Sequence, residues 1–227
     1  MKVSYYGHSC VEFDFDGIKV IVDPFISYND KASHIDIDNI KPDYIFLSHG
    51  HEDHVADMKK IYDQSGATVC AIVETAAWVR DQGVADDKVI EFNLGGTLDL
   101  PFGQVKMVYA AHTNSTPDGR YGGHAAGFVF FVDNKKIYFA GDTSLTMEMK
   151  LLTDLKLDCA FLPLGGHYTM DVHDALRAAQ ILHVNNVVGI HYNTFPPITI
   201  DKQDAKHKFA NQDVSLLLLD IGEEISL

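Results

Sequence analysis

The chain has 227 residues, of which 46% are hydrophobic and 22% are charged, and this composition is typical of a water-soluble globular protein. Its formal net charge of −14 argues against a nucleic-acid-binding protein, because such proteins present basic patches to the phosphate backbone. No stretch approaches the roughly 20 apolar residues of a membrane helix, and the start of the chain lacks the pattern of a signal peptide, so we expect a cytoplasmic protein with no membrane partner.

The N-terminal half predicts short strands followed by alternating helices and strands. Strands are predicted at residues 2–6, 10–15, 18–22, 44–48 and 69–73. A helix is predicted over 53–64, where apolar residues recur at three- and four-residue spacings. A second is predicted over 76–82 with Thr75 as its N-cap.

The C-terminal half predicts a β-rich segment and then helices alternating with strands. The predicted strands are 88–92, 97–100, 104–110, 126–132, 136–141, 159–162, 187–190 and 214–219. The predicted helices are 147–155, 172–183 and 200–209. Asp133-Asn134 is typical of a hairpin turn. β-rich halves with interleaved helices predict a mixed α/β domain, with two packed mixed sheets and helices on the outer faces.

The three cysteines lie in apolar, strand-like runs, and no Cys-x-x-Cys pair occurs among Cys10, Cys70 and Cys159. We therefore predict free, buried thiols, which suit a reducing compartment.

Four residues of metal-ligand type follow the predicted strand at 44–48. The sequence SHGHEDH spans residues 48–54 and contains His49, His51, Asp53 and His54. Imidazole nitrogens and carboxylate oxygens are the usual ligands of zinc and similar divalent ions. Histidines at i and i+2 of an extended segment point the same way, whereas Asp53 and His54 begin the next element. The segment therefore suits two neighbouring ions better than one.

Three further candidate ligands each follow an apolar strand: His112, Asp142 and His191. Strand ends gather functional loops at one edge of a sheet, so ligands that are distant in the sequence can converge there. Together the seven residues suit two ions that share a bridging carboxylate.

In this order the motif and the three later ligands resemble the metallo-β-lactamase superfamily, and the resemblance covers nearly the whole chain. More narrowly, the chain resembles the UPF0173 group of metal-dependent hydrolases, which is related to ascorbate-phosphate lactonase and phosphodiesterase branches. The segments behind the narrower resemblance are Gly7-His8-Ser9, Asp23-Pro24-Phe25, Ala140-Gly141-Asp142-Thr143, Tyr168-Thr169-Met170 and His191-Tyr192-Asn193-Thr194-Phe195-Pro196.

The resemblance implies a four-layer αββα sandwich of two mixed β-sheets flanked by helices, formed by one domain over residues 1–227. It also implies a first ion bound by His49, His51 and His112, and a second bound by Asp53, His54 and His191. Asp142 would bridge them, and a hydroxide between the ions would be the nucleophile. Asp53 would also orient this hydroxide.

Two histidines and one asparagine at predicted strand ends are the next candidates. His167 follows a strand and a glycine pair, and we predict a catalytic role in protonating the leaving group. His8 and Asn193 are predicted to bind substrate. The alternative for both histidines is to orient a metal ligand, and the UPF0173 group often has Asn at the position of His167.

The sequence thus predicts a dinuclear hydrolase that acts on a small ester, lactone or phosphodiester, with a substrate that can be anionic. We expect two Zn²⁺ ions, although Mn²⁺, Fe²⁺ and Ni²⁺ suit the same ligands. Two alternatives stay open: an iron-dependent redox enzyme of the oxygen reductase or sulfur dioxygenase type, and a nucleic-acid-processing member of the superfamily. The sequence also leaves a homo-oligomer open.

Overall fold

The computed structural model describes residues 1–227, and these form two compact units. Unit 1 comprises Met1–Gly96, Thr113–His124 and Asp220–Leu227, and unit 2 comprises Thr97–His112 and Ala125–Leu219. Each unit contains one seven-stranded mixed sheet. The assignment of residues 1–227 to a single domain stays a prediction.

Fourteen strands and five α-helices make up the regular structure. The strands are β1 (Lys2–Gly7), β2 (Cys10–Phe15), β3 (Ile18–Val22), β4 (Tyr44–Phe46), β5 (Thr68–Ile72), β6 (Val89–Phe92), β7 (Thr97–Leu100), β8 (Gly103–Tyr109), β9 (Ala126–Val132), β10 (Lys135–Phe139), β11 (Cys159–Pro163), β12 (Asn186–Ile190), β13 (Ser215–Leu217) and β14 (Glu224–Ser226). The α-helices are α1 (Glu52–Val55), α2 (Met58–Ser65), α3 (Val73–Asp81), α4 (Val172–Leu182) and α5 (Lys202–Ala210). Short 3₁₀ helices are formed by Asp30–Ala32, Ile37–Asn39, Asp86–Lys88, Met147–Leu155 and Pro196–Ile198.

The sheet of unit 1 has the strand order β14-β1-β2-β3-β4-β5-β6. The strands from β14 to β3 pair antiparallel, and those from β3 to β6 pair parallel. Buried apolar residues of the strands and helices pack on one another, and examples are Ile45, Val69, Met58, Ile61 and Val79. This packing covers one face of the sheet with helices, because a helix buries only its apolar stripe.

The sheet of unit 2 has the order β13-β12-β11-β10-β9-β8-β7. The strands from β7 to β10 pair antiparallel, and those from β10 to β13 pair parallel. Asp133 and Asn134, which join β9 to β10, both have positive φ, as a two-residue type I′ hairpin turn requires. Because β8 runs in the same direction as β10, β11 and β12, these four strands all end at the same edge of this sheet.

The structure corrects four details of the predicted elements. The helix predicted over 53–64 is interrupted between α1 and α2, because the backbone N–H of Asp57 donates to the carbonyl of Pro24 (3.1 Å) and not to the preceding helical turn. Thr75 lies inside α3 rather than at its N-cap, and its hydroxyl donates to the carbonyl of Gly122 (2.8 Å). Residues 147–155 form a 3₁₀ helix instead of the predicted α-helix, and β14 is a strand that was not predicted from the sequence.

The three cysteines are free and buried, as predicted. Burial raises the pKa of each thiol above its ordinary value, and the pKa of Cys159 reaches about 12. None of the helices is both long enough and apolar enough to span a lipid bilayer.

Candidate metal centre

The segment that follows β4 presents two histidines of unit 1 side by side. Regular strand structure ends at Phe46, and α1 begins at Glu52 with His51 as its N-cap residue in an extended conformation, so the chain between them is not helical. The Nε2 atom of His49 lies 3.0 Å from the Nδ1 atom of His51. The side chain of His49 is fully buried, so this segment is not a solvent-exposed turn.

The first turn of α1 places Asp53 and His54 beside His8, a fourth histidine of unit 1. His8 follows β1 with a positive φ, and its Nε2 atom lies 3.1 Å from Oδ2 of Asp53. One possible ligand atom from each of His8, Asp53 and His54 lies within 4.8 Å of the other two. The ring centroids of His49 and His54 are 4.1 Å apart, so the two groups of side chains adjoin within unit 1.

Asp23 holds His54 and the residue before His49 in place, and it was not among the site residues predicted from the sequence. Its carboxylate accepts hydrogen bonds from the backbone N–H of Ser48 (2.7 Å), the hydroxyl of Ser48 (2.6 Å) and Nδ1 of His54 (2.8 Å). Burial raises the pKa of the Asp23 carboxyl, and the contacts with His54 and Ser48 oppose that rise. The available signal was an acidic residue directly after an apolar strand and directly before a proline.

These hydrogen bonds select which nitrogen of each ring faces the site. A carboxylate can only accept, so Nδ1 of His54 donates to Asp23. The hydroxyl of Ser48 donates to Asp23 and can therefore accept from Nδ1 of His49, which lies 2.9 Å away. In both rings Nε2 is then the nitrogen with a lone pair for a metal ion, as is usual for metal-binding histidines.

The donor atoms of unit 1 fit a divalent ion in chemistry and spacing. Zinc–nitrogen bonds of about 2.0–2.1 Å at tetrahedral angles place two nitrogen ligands about 3.3 Å apart. The separation of 3.0 Å between His49 Nε2 and His51 Nδ1 is close to that value. The residues present therefore fit the metal that the sequence predicts.

Unit 2 groups the other three predicted ligands around one carboxylate oxygen. Oδ2 of Asp142 lies 3.6 Å from Nε2 of His112 and 3.0 Å from Nε2 of His191. These residues follow β10, β8 and β12, whose ends lie at one edge of the sheet. Asp142 and His191 are buried, and a carboxylate between two imidazoles suits a residue that bridges two ions.

Thr143 connects the strand ends that position this group. Its buried hydroxyl accepts a hydrogen bond from the backbone N–H of Ala111 (3.0 Å), the residue before His112. The N–H of Ser144 donates to the carbonyl of Ala111 (3.1 Å). These contacts fix the end of β8 against the end of β10, a role of Thr143 that was not predicted from the sequence.

The remaining candidates of unit 2 lie in loops after β11 and β12. The side chain of His167 is exposed and packs edge-on against Tyr168, with 4.6 Å between ring centroids. Asn193 has a positive φ, and its side-chain oxygen accepts from the backbone N–H of Ile200 (2.7 Å). That contact shapes the loop after His191, and the substrate-binding role of Asn193 stays a prediction.

Comparison with known proteins places the whole chain among metal-dependent hydrolases. A family model for the beta-lactamase superfamily domain matches residues 2–191. The chain is 44% identical to a UPF0173 metal-dependent hydrolase of Christiangramia forsetii and 40% identical to one of Methylacidiphilum infernorum, each over the full length of both proteins.

Solved structures confirm the predicted fold class, a metallo-β-lactamase fold with two mixed β-sheets flanked by helices. A metallo hydrolase from the hyperthermophilic archaeon Ignicoccus hospitalis is 33% identical and superimposes with a TM-score of 0.85 over 99% of this chain and 97% of that chain. The isothiocyanate hydrolase from Delia radicum gut bacteria is 18% identical, with a TM-score of 0.78 over 100% of this chain and 99% of that chain. Because the isothiocyanate hydrolase is only 18% identical to this chain, its similarity shows a shared fold and nothing about activity.

Proposed function

The chain belongs to the beta-lactamase superfamily and, within it, to the UPF0173 metal-dependent hydrolases, and we propose that it is a dinuclear hydrolase of a small ester, lactone or phosphodiester. Hydrolysis is favoured over the iron-dependent redox chemistry and the nucleic-acid processing considered from the sequence, because the relatives named above are hydrolases. The acidic net charge of −14 further disfavours a nucleic-acid substrate.

The observation that best supports two ions is the position of Asp142. One oxygen of its carboxylate lies within 3.6 Å of Nε2 of His112 and of Nε2 of His191, and these two imidazoles are proposed ligands of different ions. In the proposed arrangement His49, His51 and His112 bind one ion, and Asp53, His54 and His191 bind the other. Asp142 contributes to both.

We propose Zn²⁺ as the native metal of a cytoplasmic enzyme, with Mn²⁺, Fe²⁺ and Ni²⁺ as compatible substitutes. When bound, the ions would supply a bridging hydroxide at neutral pH and stabilise negative charge that develops on the substrate.

The protein's own residues would orient the nucleophile and move protons. Asp53 would accept a hydrogen bond from the hydroxide and direct its lone pair towards the substrate. His8 supports this role, because it is buried and its Nε2 atom lies 3.1 Å from the Asp53 carboxylate. His167 is exposed, so its ring is accessible to a substrate and could donate a proton to the leaving group. His8 and Asn193 also stay our candidates for contacts with the substrate.

A substrate screen with defined metals tests this proposal. Metal-free protein is reloaded separately with Zn²⁺, Mn²⁺, Fe²⁺ or Ni²⁺ and assayed against panels of phosphodiesters, lactones, esters and thioesters. We expect metal-dependent turnover within one of these classes. We also expect Asp53→Asn to lower it by about a hundredfold or more while most of the metal stays bound. Turnover with no metal, or no turnover with any metal, would contradict the proposal. Full activity of metal-loaded Asp53→Asn protein would contradict the role of Asp53.

A further inference from the structure

Asn114 lies in the loop of residues 113–124 and makes hydrogen bonds with both ends of its amide group. Its Oδ1 atom accepts from the backbone N–H of Gly50 (2.8 Å). Its Nδ2 atom donates to the carbonyl of Gly122 (2.6 Å) and to that of His124 (3.2 Å). The side chain is buried, and all of these partners belong to unit 1.

Gly50 is the residue between His49 and His51, so its backbone sets how the two rings face each other. An added Cβ at Gly50 would lie 3.1 Å from Cγ2 of Thr116, 3.2 Å from Oδ1 of Asn114 and 3.2 Å from the carbonyl of Ser115. The loop therefore packs directly against this position. A buried N–H that loses its acceptor destabilises the conformation that buries it.

The loop itself is fixed to α3 at two further points. The hydroxyl of Thr75 donates to the carbonyl of Gly122 (2.8 Å). Arg120 forms an ion pair with Asp81 (2.7 Å), the last residue of α3. Asn114 is thus held on one side by a fixed loop and contacts the metal-ligand segment on the other.

We propose that Asn114 is a positioning residue that fixes the backbone of Gly50 and thereby holds His49 and His51 in the orientation that binds a divalent ion. The inference rests on the proposed assignment of these two histidines as metal ligands. Residues that orient metal ligands typically change metal affinity by about tenfold to a hundredfold when they are removed.

The test compares Asn114→Ala with Thr75→Val, which loosens the same loop and keeps the acceptor of Gly50. Zn²⁺ affinity is measured by competition with a chromophoric chelator, and the ligand geometry by the visible absorption of Co²⁺-loaded protein. We expect Asn114→Ala to weaken Zn²⁺ binding by about tenfold to a hundredfold and to change the Co²⁺ spectrum. We expect Thr75→Val to retain the wild-type Co²⁺ spectrum and Zn²⁺ affinity, even if its Tm falls as far as that of Asn114→Ala.

Unchanged Zn²⁺ affinity in Asn114→Ala, or equal weakening in the two variants, would overturn the inference and leave Asn114 as a purely structural residue. If Asn114→Ala fails to fold, Gly122→Ala takes its place, because the added Cβ would collide with the Asn114 amide without removing it. The expected and contradicting results are then the same. His49→Ala serves as the separate check: wild-type Zn²⁺ stoichiometry and affinity in that variant would contradict the metal assignment itself.

Discussion

The Nδ1 atom of His54 lies 2.8 Å from Oδ2 of Asp23, and both side chains are fully buried. The same carboxylate accepts two hydrogen bonds from Ser48, the residue before His49. One acidic residue therefore fixes the tautomer of one proposed ligand and the backbone next to another.

Asp23→Asn should weaken metal binding although it barely changes the size of the side chain. The amide of asparagine can donate to Nδ1 of His54, which would favour the tautomer with a proton on Nε2 and no lone pair for the ion. We expect a loss of Zn²⁺ affinity of about tenfold to a hundredfold, measured by chelator competition. Asp220→Asn, at an exposed carboxylate, is the control and should bind Zn²⁺ as the wild type does. Wild-type affinity in Asp23→Asn would show that the contact does not select the tautomer.

His167→Asn should lower turnover while both ions stay bound. Asparagine retains a hydrogen-bonding side chain but cannot donate a proton as an imidazolium ion can. General acid catalysis contributes about a hundredfold or more to kcat, whereas loss of a substrate contact would mainly raise KM. Metal content and steady-state kinetics on the identified substrate separate the outcomes. Loss of an ion would make His167 a ligand, and unchanged kcat and KM would make it structural.

Glu12→Gln should stabilise the protein at neutral pH. Burial raises the pKa of the Glu12 carboxyl, and Lys19, at 3.4 Å, opposes that rise. The folded state therefore holds the Glu12 proton more tightly than the unfolded state does. The carboxylate disfavours folding increasingly as the pH rises through the folded-state pKa.

Thermal unfolding of Glu12→Gln at pH 4 and pH 8 provides the measurement. The Tm advantage over wild type should be larger at pH 8, and each 1 kcal/mol corresponds to about 2–4 °C in a protein of this size. Glu148→Gln, at an exposed position, is the control and should show no such pH dependence. A Tm advantage of Glu12→Gln that is equal at both pH values would rule out the buried carboxylate as its cause.

The sequence predicted the strands well, because they are local patterns. The candidate ligands also form a local pattern, and their role as metal ligands stays a prediction. β2, β3, β7 and β9 have the predicted bounds, since each is a short apolar or alternating run bounded by turn residues. The histidine motif could be found because its members are adjacent in the chain. The grouping of Asp142 with His112 and His191 followed from the rule that strand ends converge.

What the sequence could not predict depends on contacts between distant segments. Asp23 and Asn114 are single polar residues whose partners lie 25 and 64 positions away. The break between α1 and α2 likewise arises because the backbone of Asp57 bonds to Pro24, far from it in the chain. No local periodicity contains that information.

The number of ions per chain tests the central claim most directly. Elemental analysis of Zn²⁺-saturated protein should give about two ions per chain for the wild type, and fewer for Asp142→Ala, because that residue is proposed to bind both. A wild-type protein that saturates at one ion, together with an Asp142→Ala protein that keeps that ion, would contradict the dinuclear centre.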